Sequence, residues 1–216
     1  MSGPGREQPL RPEEPAGAQS LPGLIAILVL VVLIVGGAWR YTRQLIADQT
    51  SRGAMGEIAA VLPASVHDNE PHRDVVWLDT GGGQPVPVYR AWRDGAPAAA
   101  VLTIDAAGGY VGPIRLLVGL TADGRLLGVR VSAHAETPGI GAAIADSDTG
   151  WLDAFTGRSL DDPPASRWAV RQDGGDFDAV AGATVSSRAV VAGVRGAMQY
   201  FATHRDEIFA RQGGAP

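Results

Sequence analysis

The hydrophobic pattern of this chain begins with an uncharged, mostly apolar run from Leu21 to Trp39. Nineteen residues are enough for a helix to cross a bilayer once. Trp39, Tyr41 and the adjacent Arg40 are of the types found where a span meets the membrane surface. The pattern therefore predicts one transmembrane helix over residues 21–39, and a cleaved signal peptide is the alternative.

The segments on either side of this run differ in character. Residues 1–20 are rich in Pro, Gly and charged side chains, which is typical of a disordered tail. Residues 40–63 carry helix formers and an apolar stripe that Pro63 ends, and they predict a juxtamembrane helix. We expect one globular domain in residues 64–216, with its core at about residues 75–205, because this is the usual size of a single domain.

Apolar runs then predict a strand-rich middle followed by a long helix. The dipeptide Asp123-Gly124 between two such runs is a strong hairpin signal. From Val185 onwards, apolar side chains recur at helical spacing, which predicts an amphipathic closing helix. Strands followed by helices indicate an α+β domain with an antiparallel sheet and flanking helices. The predicted strands are Val75–Leu78, Val86–Trp92, Ala98–Asp105, Ile114–Thr121, Leu126–Ser132 and Trp168–Arg171, and the predicted short helices are Ala142–Ala145 and Trp151–Phe155.

Composition narrows the possible chemistry. The chain has no cysteine, which excludes disulfides, thiolate catalysis and cysteinyl iron–sulfur clusters. Its net charge is −5 and it has no basic cluster with interleaved aromatics, so nucleic-acid binding is not expected. The four histidines lack the spacing of metal ligands, so no metal site is expected. Any redox role must therefore rest on a cofactor that is held by other means.

The segment from Asp178 to Arg188 is the first candidate for chemistry. Gly182 and Ala183 are small and lead to Thr184, directly before the predicted helix. The unpaired N–H groups at a helix start favour an anion such as a phosphate. Ser186 and Ser187 add hydroxyls, and Arg188 lies four residues on, where it could reach a phosphate. The alternative is that Thr184 or Ser186 is only a helix N-cap.

The loop at residues 134–141 is the second candidate. Pro138 and Gly139 predict a tight turn, and Gly141 allows another backbone or a planar ligand to pack closely. Glu136 and Thr137 could form hydrogen bonds with the edge of such a ring. The alternative is an ordinary connection between a strand and a helix.

The two segments, in this order behind one apolar span, resemble the G subunit of the Rnf (Rsx) ion-translocating electron transport complex. That protein is close kin to the C subunit of the sodium-pumping NADH:quinone reductase. The family's Glu-Thr-Pro-Gly-Leu-Gly loop stands here at residues 136–141, with Ile140 in place of Leu. Its flavinylation motif, Asp, two variable residues, Ser or Thr, Gly, Ala and Thr, stands at residues 178–184. Ala181 departs from the pattern, because the family has a hydroxyl residue at that position.

The resemblance implies a covalent flavin. A separate flavin transferase of the ApbE type would join FMN through a phosphoester to Thr184, so the chain would have no catalytic residue of its own. Asp178, Gly182 and Ala183 would be recognition elements for that transferase. The cofactor-binding residues that we expect are Glu136, Thr137, Gly139, Gly141, Asp178, Gly182, Ala183, Thr184, Ser186 and Arg188.

The resemblance also implies a role and a location. The chain would be an electron relay in a complex that couples electron transfer between ferredoxin and NAD to ion translocation, with other Rnf membrane subunits as partners. The family's topology places the flavin domain on the periplasmic side of the bacterial inner membrane. A count of the arginines flanking the span slightly favours the cytoplasm instead, but large domains translocate largely regardless of that bias.

Two alternatives remain open at the level of sequence. One keeps the cofactor but changes the assembly, to a quinone reductase related to the sodium-pumping enzyme or to another extracytoplasmic flavin relay. The other is a non-redox, membrane-tethered binding module in which Thr184 only begins a helix.

Overall fold

Five antiparallel strands and one long C-terminal helix make up most of the described structure. The computed structural model describes residues 25, 27, 30, 55–79 and 85–210. Helix α1 includes residues 55–61, and α2 is Thr184–Ile208. The strands are β1 (Val75–Asp79), β2 (Pro85–Arg93), β3 (Ala96–Ala106), β4 (Ile114–Thr121) and β5 (Leu126–Ala133). Short 3-10 helices occupy Ala64–Val66, Gly141–Ala145, Ser147–Thr149, Trp151–Phe155, Ala165–Arg167 and Arg171–Asp173.

The sheet is a meander in which each strand pairs with the next one along the chain, in the order β1-β2-β3-β4-β5. In its centre, Leu102 of β3 lies between Val88 of β2 and Val118 of β4. Each neighbouring pair is antiparallel, and the five strands predicted between residues 75 and 133 are confirmed to within two residues at each end. The α+β class is also confirmed.

Helix α2 covers one face of the sheet with the apolar stripe that its sequence predicts. Val190, Val194 and Phe201 of this stripe are fully or almost fully buried, in one core with Leu102 and Leu116 of the sheet. Each such side chain contributes about 1.5–3 kcal/mol to folding when it leaves water. The long helix is thus held along its length, and its first residue, Thr184, has a fixed place relative to the sheet.

A smaller core lies on the opposite face of the sheet. Ile58, Val61 and Leu62, in and just after α1, pack with Ala99 and Val101 of β3. This explains why β3 is apolar at nearly every position instead of alternating, since both of its faces are covered. The rest of the predicted juxtamembrane helix lies outside the described residues.

The predicted strand at Trp168–Arg171 is wrong. Val170 forms only an isolated bridge with Phe177, and 3-10 turns lie on both sides of it. The apolar signal comes from a loop core instead, in which the ring of Trp168 contacts those of Phe155 and Phe177 at centroid distances of 6.2 and 4.7 Å. The indole N–H of Trp168 donates to the carbonyl of Pro163 at 2.9 Å, which buries the ring without an unpaired donor.

The predicted span over residues 21–39 lies almost entirely outside the described residues. Ile25, Ile27 and Leu30 are helical and exposed. Within the residues that the structure describes, there is no helix with the length and apolar character needed to cross a bilayer.

Candidate functional site

A cavity of about 410 Å³ lies where the loop after β5 meets the start of α2. Its size is within the usual range of small-molecule sites. The structure brings together seven of the residues expected at the site: Glu136, Thr137, Gly141, Gly182, Ala183, Thr184 and Ser186. Tyr110, Ile140 and Val185 also line it, whereas Gly139, Asp178 and Arg188 do not.

The three additional lining residues are exposed and apolar. Tyr110 is 76% exposed, Ile140 55% and Val185 42%. They form an apolar rim around the cavity, and a mostly apolar lining is the character expected of a small-molecule or cofactor site. The sequence carries a signal for Tyr110, because it is an aromatic residue in a loop between Gly109 and Gly112.

The first wall of the cavity is built on a tight turn at Thr137–Ile140. The N–H of Ile140 donates to the carbonyl of Thr137 at 3.2 Å, and Gly139 has a φ of 77°. Pro followed by Gly at the two central positions is the signature of a type II turn, so the predicted turn is confirmed. Gly139 provides the positive φ that the turn requires, whereas Thr137 and Ile140 line the cavity.

The opposite wall is built on a turn of the same kind at residues 180–183. The N–H of Ala183 donates to the carbonyl of Val180 at 3.0 Å, and Gly182 also has a φ of 77°. A Cβ atom on Gly182 would lie 3.9 Å from Cγ2 of Ile140, so the two turns face each other closely. Ala181 is exposed and does not line the cavity.

Helix α2 begins at Thr184 without a side-chain cap. Its N-cap residue is Ala183, and Ser187 is the first residue whose N–H bonds back, to the Ala183 carbonyl at 2.9 Å. Among the described residues, the N–H groups of residues 184–186 have no acceptor. The Thr184 hydroxyl likewise has no hydrogen-bond partner in the described part of the chain, and Thr184 is half-buried. The cap alternative is therefore not what the structure shows.

The other two hydroxyls at this helix start are already bonded. Ser187 accepts a hydrogen bond from the N–H of Val180 at 3.0 Å, which holds the turn to the helix. Ser186 donates one to Oε2 of Glu136 at 2.8 Å. Thr184 is left as the hydroxyl at this helix start that faces the cavity without such a bond.

Glu136 is buried, with only 4% of its surface exposed. Oε1 accepts from the N–H of Val111 at 3.3 Å, while Oε2 accepts from Ser186. Both oxygens that we expected to face a ring edge are thus engaged by the protein. Gly141 makes room for this side chain, since a Cβ there would lie 2.5 Å from Oε2. The group that packs closely against Gly141 is therefore the Glu136 carboxylate, and not another backbone or a planar ligand.

Asp178 supports the site from outside the cavity. Its carboxylate is exposed and pairs with Nε of Arg171 at 2.7 Å. Its backbone carbonyl accepts from the indole N–H of Trp151 at 2.7 Å.

Arg188 also lies outside the cavity, on the exposed side of α2. Its Nε and Nη2 donate to the two carboxylate oxygens of Asp173 at 2.5 and 2.8 Å. These hydrogen bonds raise the pKa of Arg188 and lower the pKa of Asp173. No cationic side chain lines the cavity among the described residues, so a phosphate there would face the N-terminus of α2 instead of a guanidinium.

Comparison with known proteins places this chain in a family. Residues 109–199 match the model of the FMN-binding domain. The chain is 41% identical to the G subunit of the ion-translocating oxidoreductase complex of Cereibacter sphaeroides, over 87% of this chain and 84% of that one. It is 41% identical to the Pseudomonas aeruginosa protein of the same name, over 89% and 92%, and 34% identical to that of Aliivibrio fischeri, over 86% and 90%.

The chain belongs to this family of G subunits of ion-translocating oxidoreductase complexes. The match to the FMN-binding domain includes all three segments that line the cavity, namely the loop at Tyr110, the loop at 136–141 and the start of α2. The described residues contain no group of three or more His, Asp or Glu side chains that could hold a metal ion.

Proposed function

We propose that this protein is a membrane-anchored electron-relay subunit of an Rnf-type complex and carries FMN as a phosphoester on Thr184. The complex would couple electron transfer between ferredoxin and NAD to ion movement across the membrane. The relatives, which are named as G subunits of ion-translocating oxidoreductase complexes, and the match to the FMN-binding domain support the role. The position of Thr184 supports the attachment point, and it is the observation on which the covalent link rests.

The geometry at Thr184 suits a phosphoester. Within the described structure, the hydroxyl makes no hydrogen bond that would have to be broken, and the adjacent N–H groups of residues 184–186 are unpaired. Transfer of FMN from FAD would form a bond between Thr184 Oγ and the phosphorus of FMN and break the phosphoanhydride bond of FAD. AMP would be the leaving group, and the hydroxyl proton would be released to solvent. The phosphodiester would keep one negative charge beside the positive end of α2, which favours it by about 0.3–1 kcal/mol, or up to about 2 in a partly buried site.

The lining explains why a covalent link would be useful. Bound FMN supplies a group that accepts and releases electrons. A helix N-terminus alone holds a phosphate weakly, because no cationic side chain in the described lining reinforces it. The ester would retain the group in either redox state, and the apolar rim of Tyr110, Ile140 and Val185 would shield part of it from water.

The remaining parts of the proposal concern the setting of this domain. We propose that residues 21–39 cross the bacterial inner membrane once, that residues 1–20 form a cytoplasmic tail, and that the flavin domain lies on the periplasmic side. Its partners would be the other membrane subunits of the complex and, during maturation, an ApbE-like flavin transferase.

The test is co-expression of the full chain with a flavin transferase. We expect an intact mass increased by FMN less one water, and a fluorescent band on a denaturing gel under ultraviolet light. Thr184→Val should abolish both. The matched control is Thr203→Val on the same helix, because that hydroxyl bonds only to the carbonyl of Gln199 at 3.0 Å and is exposed. A band that persists in Thr184→Val, or an unmodified wild-type chain, would refute the attachment.

A further inference from the structure

The buried carboxylate of Glu136 joins three segments that are distant in sequence. One oxygen accepts from Val111, 25 residues earlier, and the other accepts from Ser186, 50 residues later. Val111 follows Tyr110 on the rim, and Ser186 lies two residues after Thr184. The carboxylate therefore connects the loop that carries Tyr110 to the start of α2, which carries Thr184.

The backbone around this carboxylate is shaped to admit it. A Cβ atom on Gly109 would lie 2.8 Å from Oε1, and one on Gly141 would lie 2.5 Å from Oε2. Both distances are too short for a side chain, so each oxygen occupies space that a glycine leaves free. The N–H of Glu136 is itself bonded to Nδ1 of His134 at 3.2 Å, which fixes the main chain at this point.

We infer that Glu136 is a positioning residue of the flavin site. It holds the Tyr110 loop and the first turn of α2 at a fixed separation and so sets the shape of the cavity around Thr184. It acts through its two hydrogen bonds and not through its charge, since both carboxylate oxygens are engaged by the protein. This inference rests on the proposed function for the identity of the ligand, but its geometry is a property of the protein alone.

The amide of Glu136→Gln can reproduce both bonds. Its oxygen can accept from Val111, and its NH₂ group can donate to Ser186. Glu136→Ala removes both bonds, and Ser186→Ala removes only the one to α2. Comparison of Glu136→Ala with Glu136→Gln therefore separates the hydrogen bonds from the charge. Comparison of Glu136→Ala with Ser186→Ala separates the bond to the Tyr110 loop from the bond to α2.

The first measurement is hydrogen–deuterium exchange on the protein without flavin. In Glu136→Ala we expect exchange on the order of fivefold faster in both residues 107–113 and residues 180–190, since the loss of one ordinary hydrogen bond accounts for about that factor. Ser186→Ala should speed exchange in residues 180–190 only. Glu136→Gln should keep the wild-type pattern. If Glu136→Ala does not fold, Ser186→Ala and Glu136→Gln still decide the matter.

The second measurement is the visible circular dichroism of the attached flavin, which reports how the ring is seated. Glu136→Ala should change this spectrum and Glu136→Gln should retain it. The inference is overturned if Glu136→Ala lowers only the melting temperature, with the exchange pattern and the spectrum unchanged, or if Glu136→Gln behaves like Glu136→Ala. A wild-type chain that takes up no flavin would refute the proposed function, and the exchange pattern would still decide the role of Glu136.

Discussion

The indole N–H of Trp151 donates a hydrogen bond of 2.7 Å to the backbone carbonyl of Asp178, 27 residues later. This bond fixes the first residue of the segment that leads to Thr184. Trp151 is itself held by an edge-to-face contact with Phe155 at 5.6 Å, and Phe155 is fully buried. The indole of Trp151 thus links the segment at residues 178–184, which carries the Thr184 hydroxyl, to the core of the domain.

Trp151→Phe should therefore slow flavin attachment. The variant keeps most of the ring packing but loses the donor, and we expect it to destabilise the protein by about 1 kcal/mol. The measurements are urea unfolding without flavin and the time course of fluorescence incorporation with transferase. Trp77→Phe is the control, because Trp77 is 64% exposed on β1 and distant in sequence from the site. Equal slowing in both variants would contradict the role of the indole bond.

Gly141→Ala should disturb the site because its Cβ would collide with the Glu136 carboxylate. We expect a loss of about 1–3 kcal/mol in the free energy of unfolding, as for other overpacked sites, together with reduced flavin loading. The loss should shrink when Glu136→Ala is introduced first, since the 2.5 Å collision with Oε2 is then removed and only a tight 3.0 Å contact with the Cβ of residue 136 remains. Gly112→Ala is a matched control in a loop beside the site, because nothing lies within 4 Å of a Cβ there. Additive effects of the Glu136 and Gly141 substitutions would argue against the clash.

Ala181→Ser restores the hydroxyl that the family pattern has at this position. We expect faster attachment by the transferase with little change in melting temperature, because Ala181 is exposed in its turn. Gly182→Ala, one residue later, should instead cost about 1 kcal/mol, because its φ of 77° suits glycine and strains alanine. Rates of fluorescence incorporation and melting curves would check both. An unchanged rate in Ala181→Ser would show that the departure at this position has no effect on recognition.

Arg188→Gln should leave flavin loading unchanged, because Arg188 pairs with Asp173 outside the cavity. The hydrogen bonds from Arg188 hold the pKa of Asp173 below its ordinary value in the folded protein. The pair's contribution to stability is therefore present at neutral pH and is lost as the pH falls below about 4, through the lowered pKa. The difference in melting temperature between wild type and Arg188→Gln, which we expect to be small because the pair is exposed, should vanish there.

Two results would contradict this account of Arg188. A difference in melting temperature that does not decrease at all as the pH falls below about 4 would exclude the Asp173 pair as its source. Reduced loading in Arg188→Gln would return Arg188 to the phosphate site that its helical position suggests.

The sheet and the closing helix were predictable because their signals are local. The spacing of Val190, Val194 and Phe201 identifies one helix face, and Asp123-Gly124 marks a hairpin, whatever the rest of the chain does. Two of the three segments that line the cavity were also predictable, one from the small residues before Thr184 and the other from its Pro-Gly turn, whereas the Tyr110 loop was not identified.

The pairings between side chains were not predictable in the same way. Arg188 has the right spacing for a phosphate at Thr184, but it has an equally good partner in Asp173, and only the three-dimensional path of the loop decides between them. The bond between Glu136 and Ser186 spans 50 residues and likewise depends on the tertiary fold. Trp168 was assigned to a strand because a buried loop core and a buried strand have the same short apolar pattern.

The meander order of the sheet has a consequence for how this protein is made. Because each strand pairs with its immediate neighbour, β1 to β5 can pair in chain order without waiting for a later segment. The site, in contrast, is incomplete until α2 has been synthesised and Ser186 has reached Glu136. The Thr184 hydroxyl is thus among the last parts of the domain to reach its position. A flavin transferase would therefore act on a chain whose β-sheet has already formed.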